Sequence, residues 1–224
     1  MNAKPIIAAV LAFSLGLLYF SAAPSASGAQ PMPAVARGGA DRIAPVNPAS
    51  GLNQALAAVQ HVKGIFPWKP LIGGKHKLYM FIDPNCIWCH RLFLLVKLHE
   101  AEFHMANVVP IIVPVGLMNA SSLGKSATLI LDGWPAYVKA ETGYNVNTKE
   151  GDVTPSTNRT ALAQVRRLNR ILSTVSKRAG TPTLLWRAGD GRPSYRIGLP
   201  TPAIMLRILA SFKKGRTPRL SAYR

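Results

Sequence analysis

The sequence predicts one α/β domain built on a sheet of mixed strand direction. Two observations lead there. Short apolar runs of strand length alternate with longer runs of helical spacing, in the order strand, helix, strand, helices, strand, strand, helix. The last two strands flank Asp190-Gly191, a hairpin signal.

Each element has its own justification. Residues 51–62 carry apolar side chains at 52, 55, 56, 59 and 62, a helical spacing. Phe66-Pro-Trp-Lys-Pro70 and Gly73-Gly74 break the chain into a loop. Lys77–Ile82 is a nearly continuous apolar run, suited to a strand buried on both faces, and Asp83-Pro84-Asn85 stops it. Cys86 to about Met105 reads as one helix. Residues 107–115 read as a second strand, weakened by Pro110 and Pro114, which have no N–H for a ladder. Helical pieces follow at 121–131 and 134–140, broken at Gly133 and Pro135, and then a polar irregular stretch from 142 to 157. Thr157-Asn158 supplies a cap for a helix running to Arg178, with Leu162, Val165, Leu168, Ile171, Leu172 and Val175 on one face. Thr183–Trp186 and Ser194–Gly198 are strands around a turn at 188–191. Thr201 caps a final helix to Phe212, with Pro202 in its first turn.

Composition bounds what such a domain can be. The chain has 224 residues, 48% hydrophobic, with 27 Lys+Arg against 9 Asp+Glu and a formal charge of +18. That length buries a core without disulfide staples, and two cysteines exclude a disulfide-scaffolded mini-protein. Some of the hydrophobicity belongs to an export signal over residues 1–29. Lys4 is its positive end, Ile6–Phe20 its apolar run, and Ser27-Gly28-Ala29 its small-residue cleavage site. An uncleaved anchor over Ile6–Ala23 is the other reading. Either way the remainder leaves the cytoplasm, and periplasmic localisation is the expectation. Residues 30–50, rich in Pro, Ala and Gly, form a flexible leader.

The chemistry concentrates at Cys86-Ile-Trp-Cys89-His90, after a strand and at the start of a helix. A helix N-terminus offers unpaired N–H groups and positive potential, which stabilise a thiolate. Cys86 is then the exposed nucleophile and Cys89, one turn deeper, the resolving thiol of a thiol–disulfide exchange. His90 favours the thiolate, and Asp83 opposes it or caps the helix. Trp88, Thr181 and Pro182 are assigned to substrate contact and orientation. Gly180-Thr-Pro-Thr183 opens the strand after the long helix and is compatible with a cis peptide, although an ordinary trans proline opening an edge strand fits the string equally. Three rival readings share the cysteines. A structural Cys86–Cys89 bridge closes too short a loop to add much stability. A zinc site lacks ligands, since two cysteines and His90 fall short of four, so no metal is expected. Cys-x-x-Cys-His is also the attachment pattern of a c-type haem, though nothing in that pattern calls for a strand directly before it. The cofactor expectation is none beyond the redox-active Cys86–Cys89 disulfide.

Phe81-Ile-Asp-Pro-Asn-Cys-Ile-Trp-Cys-His90, Gly180-Thr-Pro-Thr-Leu184 and Gly198-Leu-Pro200, with Val115-Gly-Leu-Met118 before a small-residue helix, resemble the catalytic domain of the DsbC/DsbG group of periplasmic disulfide isomerases. The resemblance runs from about Leu52 to Phe212 and lies closest to DsbG. It implies a thioredoxin-like fold over 76–212 with a helical insertion at about 116–178, preceded over 51–75 by a short linker helix and loop. It implies Cys86 as nucleophile, Cys89 as its partner and a cis Pro182 after Thr181. Exported cysteine-containing proteins would be the substrates, and a membrane thiol–disulfide reductase or oxidase the redox partner. The expected function is exported thiol:disulfide oxidoreductase or isomerase. A basic binding protein with an incidental fold of this kind is the reading from another class.

Charge is uneven. From Val153 onward stand 15 Lys+Arg and one acid, Asp190, against 12 and 8 before it. Arg166, Arg167 and Arg170 lie on the outward side of the long helix, and residues 213–224 form a basic tail. This is either a solvated face or one that attracts anionic lipid head groups or an acidic substrate. Residues 30–75 hold a leader and one helix where the resembling isomerases carry a strand-rich dimerisation domain. A monomer is therefore expected in dilute solution; light scattering reads this directly, and a stable dimer would contradict it.

Overall fold

The computed structural model describes residues 44–45, 51–176, 178 and 180–213. The proposed signal, most of the leader and the tail after Lys213 lie outside the described residues. Strands are β1 (Ala44–Pro45), β2 (Phe66–Pro67), β3 (His76–Ile82), β4 (Val108–Pro114), β5 (Thr183–Arg187) and β6 (Pro193–Ile197). Helices are α1 (Gly51–Val59), α2 (Ile87–Leu98), α3 (Glu100–Met105), α4 (Ser122–Asp132), α5 (Trp134–Thr142), α6 (Arg159–Val175) and α7 (Pro202–Ala210). The sheet order is β1-β6-β5-β3-β4-β2. β3 and β4 run parallel, joined by α2 and α3, and β5 and β6 pair antiparallel, as the hairpin signal requires.

Alternation along the central strands divides the core between two faces. Leu78, Met80, Ile82, Ile112, Leu184 and Trp186 face one cluster with α2, α3, α5 and α7. Tyr79, Phe81, Val109, Ile111, Val113 and Leu185 face the other, with α1 and α6. α4 lies against α6 through Ala127, Ala161 and Val165. The expected insertion thus consists of α4, α5 and α6.

Five features depart from the sequence reading. The helix expected from Cys86 to Met105 breaks at His99, where φ is −108° and ψ 21°. The break lets α3 turn Phe103 into the core and Glu100 accept the Trp68 indole N–H at 2.7 Å. Pro110 and Pro114 do not weaken β4. The Val115 N–H donates to Ile82 O, so odd-numbered residues present their N–H groups to β3. Pro110 and Pro114 therefore direct their missing N–H groups to the outer side, where β2 is only two residues long. β2 itself was read as loop, and Phe66 and Pro67 pair with Ile112 and Ile111. The leader expected to be irregular contributes β1, paired to Tyr195 and Ser194. α1, read as a linker, buries Leu52, Ala55, Leu56 and Val59 in the domain core.

The caps formed where the sequence placed them. Asn158 accepts from Ala161 N–H at the start of α6, and the Thr201 hydroxyl from Ile204 N–H at the start of α7.

Candidate active site

β3 ends at Ile82 and the chain turns through Asp83-Pro84-Asn85 into α2. The Cys86 N–H donates to Asp83 O at 3.0 Å, and Cys86 O accepts from the Cys89 and His90 N–H groups. Cys86 is thus the residue that caps α2, with extended backbone angles (φ −94°, ψ 113°). Asparagine or serine would place a side-chain oxygen there. As a thiol the sulfur makes no capping bond, but once ionised it meets the N–H groups of Trp88 and Cys89. The helix start that wants an acceptor therefore favours the thiolate.

The strand opening at β5 supplies the opposite wall. The Thr181–Pro182 peptide is cis, and Cys86 Sγ lies 3.3 Å from Thr181 O, a contact in which the thiol donates. The Thr181 hydroxyl is buried and has no other partner among the described residues, so it serves as a donor once the sulfur is ionised. The Gly198 N–H donates to Pro182 O and ties the end of β6 to this turn.

The two thiols are driven apart. Cys86 is lowered from 9.0 to about 6, chiefly because the Cys89 thiol donates to it; burial opposes this, and Thr181 with the Cys89 and Trp88 N–H groups adds to it. Cys89 is pushed well above 9.0 by burial first and by the neighbouring Cys86 second. Cys86 is 1% exposed and Cys89 fully buried. The nucleophile expected to be exposed is therefore buried.

Asp83 reaches the deeper thiol through its backbone, whose N–H lies 3.5 Å from Cys89 Sγ. It is fully buried and closes a loop. One carboxylate oxygen accepts from Leu117 N–H at 2.6 Å and Met118 N–H at 2.9 Å, the other from Asn85 N–H and the Ser122 hydroxyl, both at 2.9 Å. The His90 ring is held from α5 and the loop after it. Its Nδ1 pairs with Glu141 Oε2 at 3.1 Å, and its ring stacks on Tyr144 at 4.6 Å. Burial raises the Glu141 carboxyl, and His90 partly offsets this. Trp88 is half exposed beside the site, with the Arg91 guanidinium 4.7 Å from its ring.

Several residues of the site escaped the sequence reading. Glu141 lies on α5, and Tyr144, just beyond it, donates to Asn85 O. Asn85, directly before the nucleophile, donates to Asn119, Ser121 and Ser122 and accepts from Gly151 N–H. Glu141 left one trace. It lies among the buried positions 136, 137, 140 and 141 of α5, so an acid stands on the apolar stripe. The Asn85 partners, more than 30 residues away, left none.

Among the described residues, no three His, Cys, Asp or Glu side chains gather as a metal site. No helix among them is long and apolar enough to cross a membrane.

The lowered thiol sets a pH dependence. The folded value of Cys86, about 6, lies below its unfolded value near 9. Its contribution to stability is full above about 9 and is lost as pH falls through about 6. Cys89, raised, opposes it only above its ordinary range. The reduced protein should thus lose stability from about pH 9 to 6, relative to Cys86→Ser. Urea unfolding under reductant across that range measures the difference, and parallel curves for the two proteins would contradict it.

No protein-family model and no curated protein sequence matches the chain. Solved structures do. A periplasmic thioredoxin-like protein from Salmonella enterica serovar Typhimurium is similar at 19% identity and a TM-score of 0.50, over 71% of this chain and 98% of that one. The catalytic domain of Proteus mirabilis ScsC is similar at 17% identity and 0.50, over 71% and 94%. Pseudomonas aeruginosa DsbA2 is similar at 12% identity and 0.50, over 70% and 97%. The mixed sheet, the helices on both faces, the inserted helices and these likenesses together make the fold thioredoxin-like.

Proposed function

We propose that this protein is an exported thiol:disulfide oxidoreductase that acts on protein substrates. The observation that carries the reading is the asymmetry of the cysteine pair: a capping thiol lowered to about 6 beside a buried one raised well above 9.0. The Cys86 thiolate attacks one sulfur of a substrate disulfide, forming a mixed disulfide and expelling the other substrate sulfur as thiolate. Cys89, once deprotonated, attacks Cys86 Sγ. This forms the Cys86–Cys89 disulfide and releases the second substrate thiolate. Two electrons pass from protein to substrate, and the reverse sequence passes a disulfide to a substrate dithiol. Stabilising the Cys86 thiolate stabilises the reduced pair and makes Cys86 a good leaving group, which favours disulfide donation.

The surroundings suit a polypeptide substrate. Trp88, Leu117 and Met118 are about half exposed at the end of the sheet that holds Cys86. A groove lined by Arg91, Leu94, Leu95, Leu98, Leu199 and Pro202 runs between α2 and the turn from β6 into α7. The DsbC/DsbG likeness is part of this proposal, and so is periplasmic residence, which rests on the signal over residues 1–29. The periplasmic origin of the Salmonella protein agrees with it. A c-type haem fits less well. Its thioether links need both sulfurs accessible, yet Cys89 is fully buried and His90 is held by Glu141.

Cys86→Ser should abolish glutathione-dependent disulfide exchange on a reduced, unfolded model protein. Cys89→Ser should retain the first step and accumulate a mixed disulfide, visible as a reductant-sensitive adduct by mass. An active Cys86→Ser variant, or an adduct formed at Cys89 in preference to Cys86, would sink the proposal.

A further inference from the structure

α6 buries Ala161, Val165, Leu168, Ile171, Leu172 and Val175. Its opposite face presents Arg159, Arg166, Arg167 and Arg170, all exposed and with no ion-pair partner among the described residues. α6 contains no acidic residue, and no acid occurs in the sequence between Asp152 and Asp190. The neighbouring α1 carries no charge at all. On the other neighbour, α4, Lys125 is already paired with Glu150, and Asp132 is the one acid.

Three further observations bear on the partner. The apolar stretch Ile6–Phe20, read as the export signal that meets the membrane, precedes the domain in sequence. α6 also has no aromatic residue, so the stacking platform that single-stranded nucleic acid requires is missing. Finally, α6 covers the sheet face opposite α2, so a surface bound to it does not cover the helix that starts at Cys86.

We infer that the arginine face of α6 docks the domain on an anionic phospholipid surface. Phosphate head groups accept hydrogen bonds from the guanidinium forks, and each cation near such a surface raises the partition coefficient about fivefold.

The test is co-sedimentation of the full chain with vesicles of phosphatidylcholine alone and of phosphatidylcholine with a third phosphatidylglycerol. The readout is the increment due to the anionic lipid, which removes any insertion of the apolar stretch. Arg166→Gln/Arg167→Gln/Arg170→Gln should lower that increment about a hundredfold. The fold is kept, since the three positions are exposed and glutamine is a good helix former. Lys69→Gln/Lys97→Gln/Lys139→Gln, exposed cations elsewhere with the same loss of net charge, should leave most of it. Rising salt should weaken it, and both variants should exchange disulfides in solution as the parent does. Equal losses in the two variants would reduce the effect to net charge and overturn the inference. So would an unchanged increment in the arginine variant, or a loss seen only in binding to a DNA duplex.

Discussion

Asp83 carries a fully buried carboxylate with no cation paired to it among the described residues. A charge in that position is costly unless hydrogen bonds replace its water. Here backbone N–H groups from Asn85, Leu117 and Met118 and the Ser122 hydroxyl do so. These donors come from three places: the turn into α2, the strand exit after β4, and the start of the inserted helices. One side chain thus fixes the end of β3, the angle at which α2 begins and the root of the insertion. Asn85 repeats the pattern one step closer to the sulfur, joining Asn119, Ser121, Ser122 and Gly151.

The chemistry follows from that geometry. With the turn held, Cys86 falls at the capping position of α2, where orphan N–H groups need an acceptor. Cys89 falls one turn deeper, where it can donate to Cys86 but cannot easily ionise. Identical side chains acquire opposite tendencies from their mutual hydrogen bond, burial and helix position. Glu141 and His90 lie beside them as a hydrogen-bonded pair, with the Glu141 carboxyl raised by its burial.

The elements carrying strong periodicity were legible in the sequence. α6 has one apolar stripe and an Asn158 cap, and both appear as written. The hairpin of β5 and β6 follows Asp190-Gly191, and the two cysteines fell at the strand-to-helix junction. The weaker readings failed where tertiary context overrides local pattern. Pro110 and Pro114 are tolerable because of which side of β4 they face, a fact that pairing alone decides. β1 and β2 are two residues each and carry no period at all. The roles given to Asp83 and His90 were drawn from closeness in sequence, and the side-chain partners that sequence could not show, Met118 and Glu141, are 35 and 51 residues away.

The central claim is that Cys86 is held as a thiolate chiefly by the thiol of Cys89 at the start of α2. Ultraviolet thiolate absorbance of the reduced protein, titrated with pH, tests it most directly. The account predicts a midpoint at about 6 for the parent and a shift toward 9 in Cys89→Ala. A parent midpoint near the ordinary cysteine value of about 8.5, or one that Cys89→Ala leaves unmoved, would contradict it.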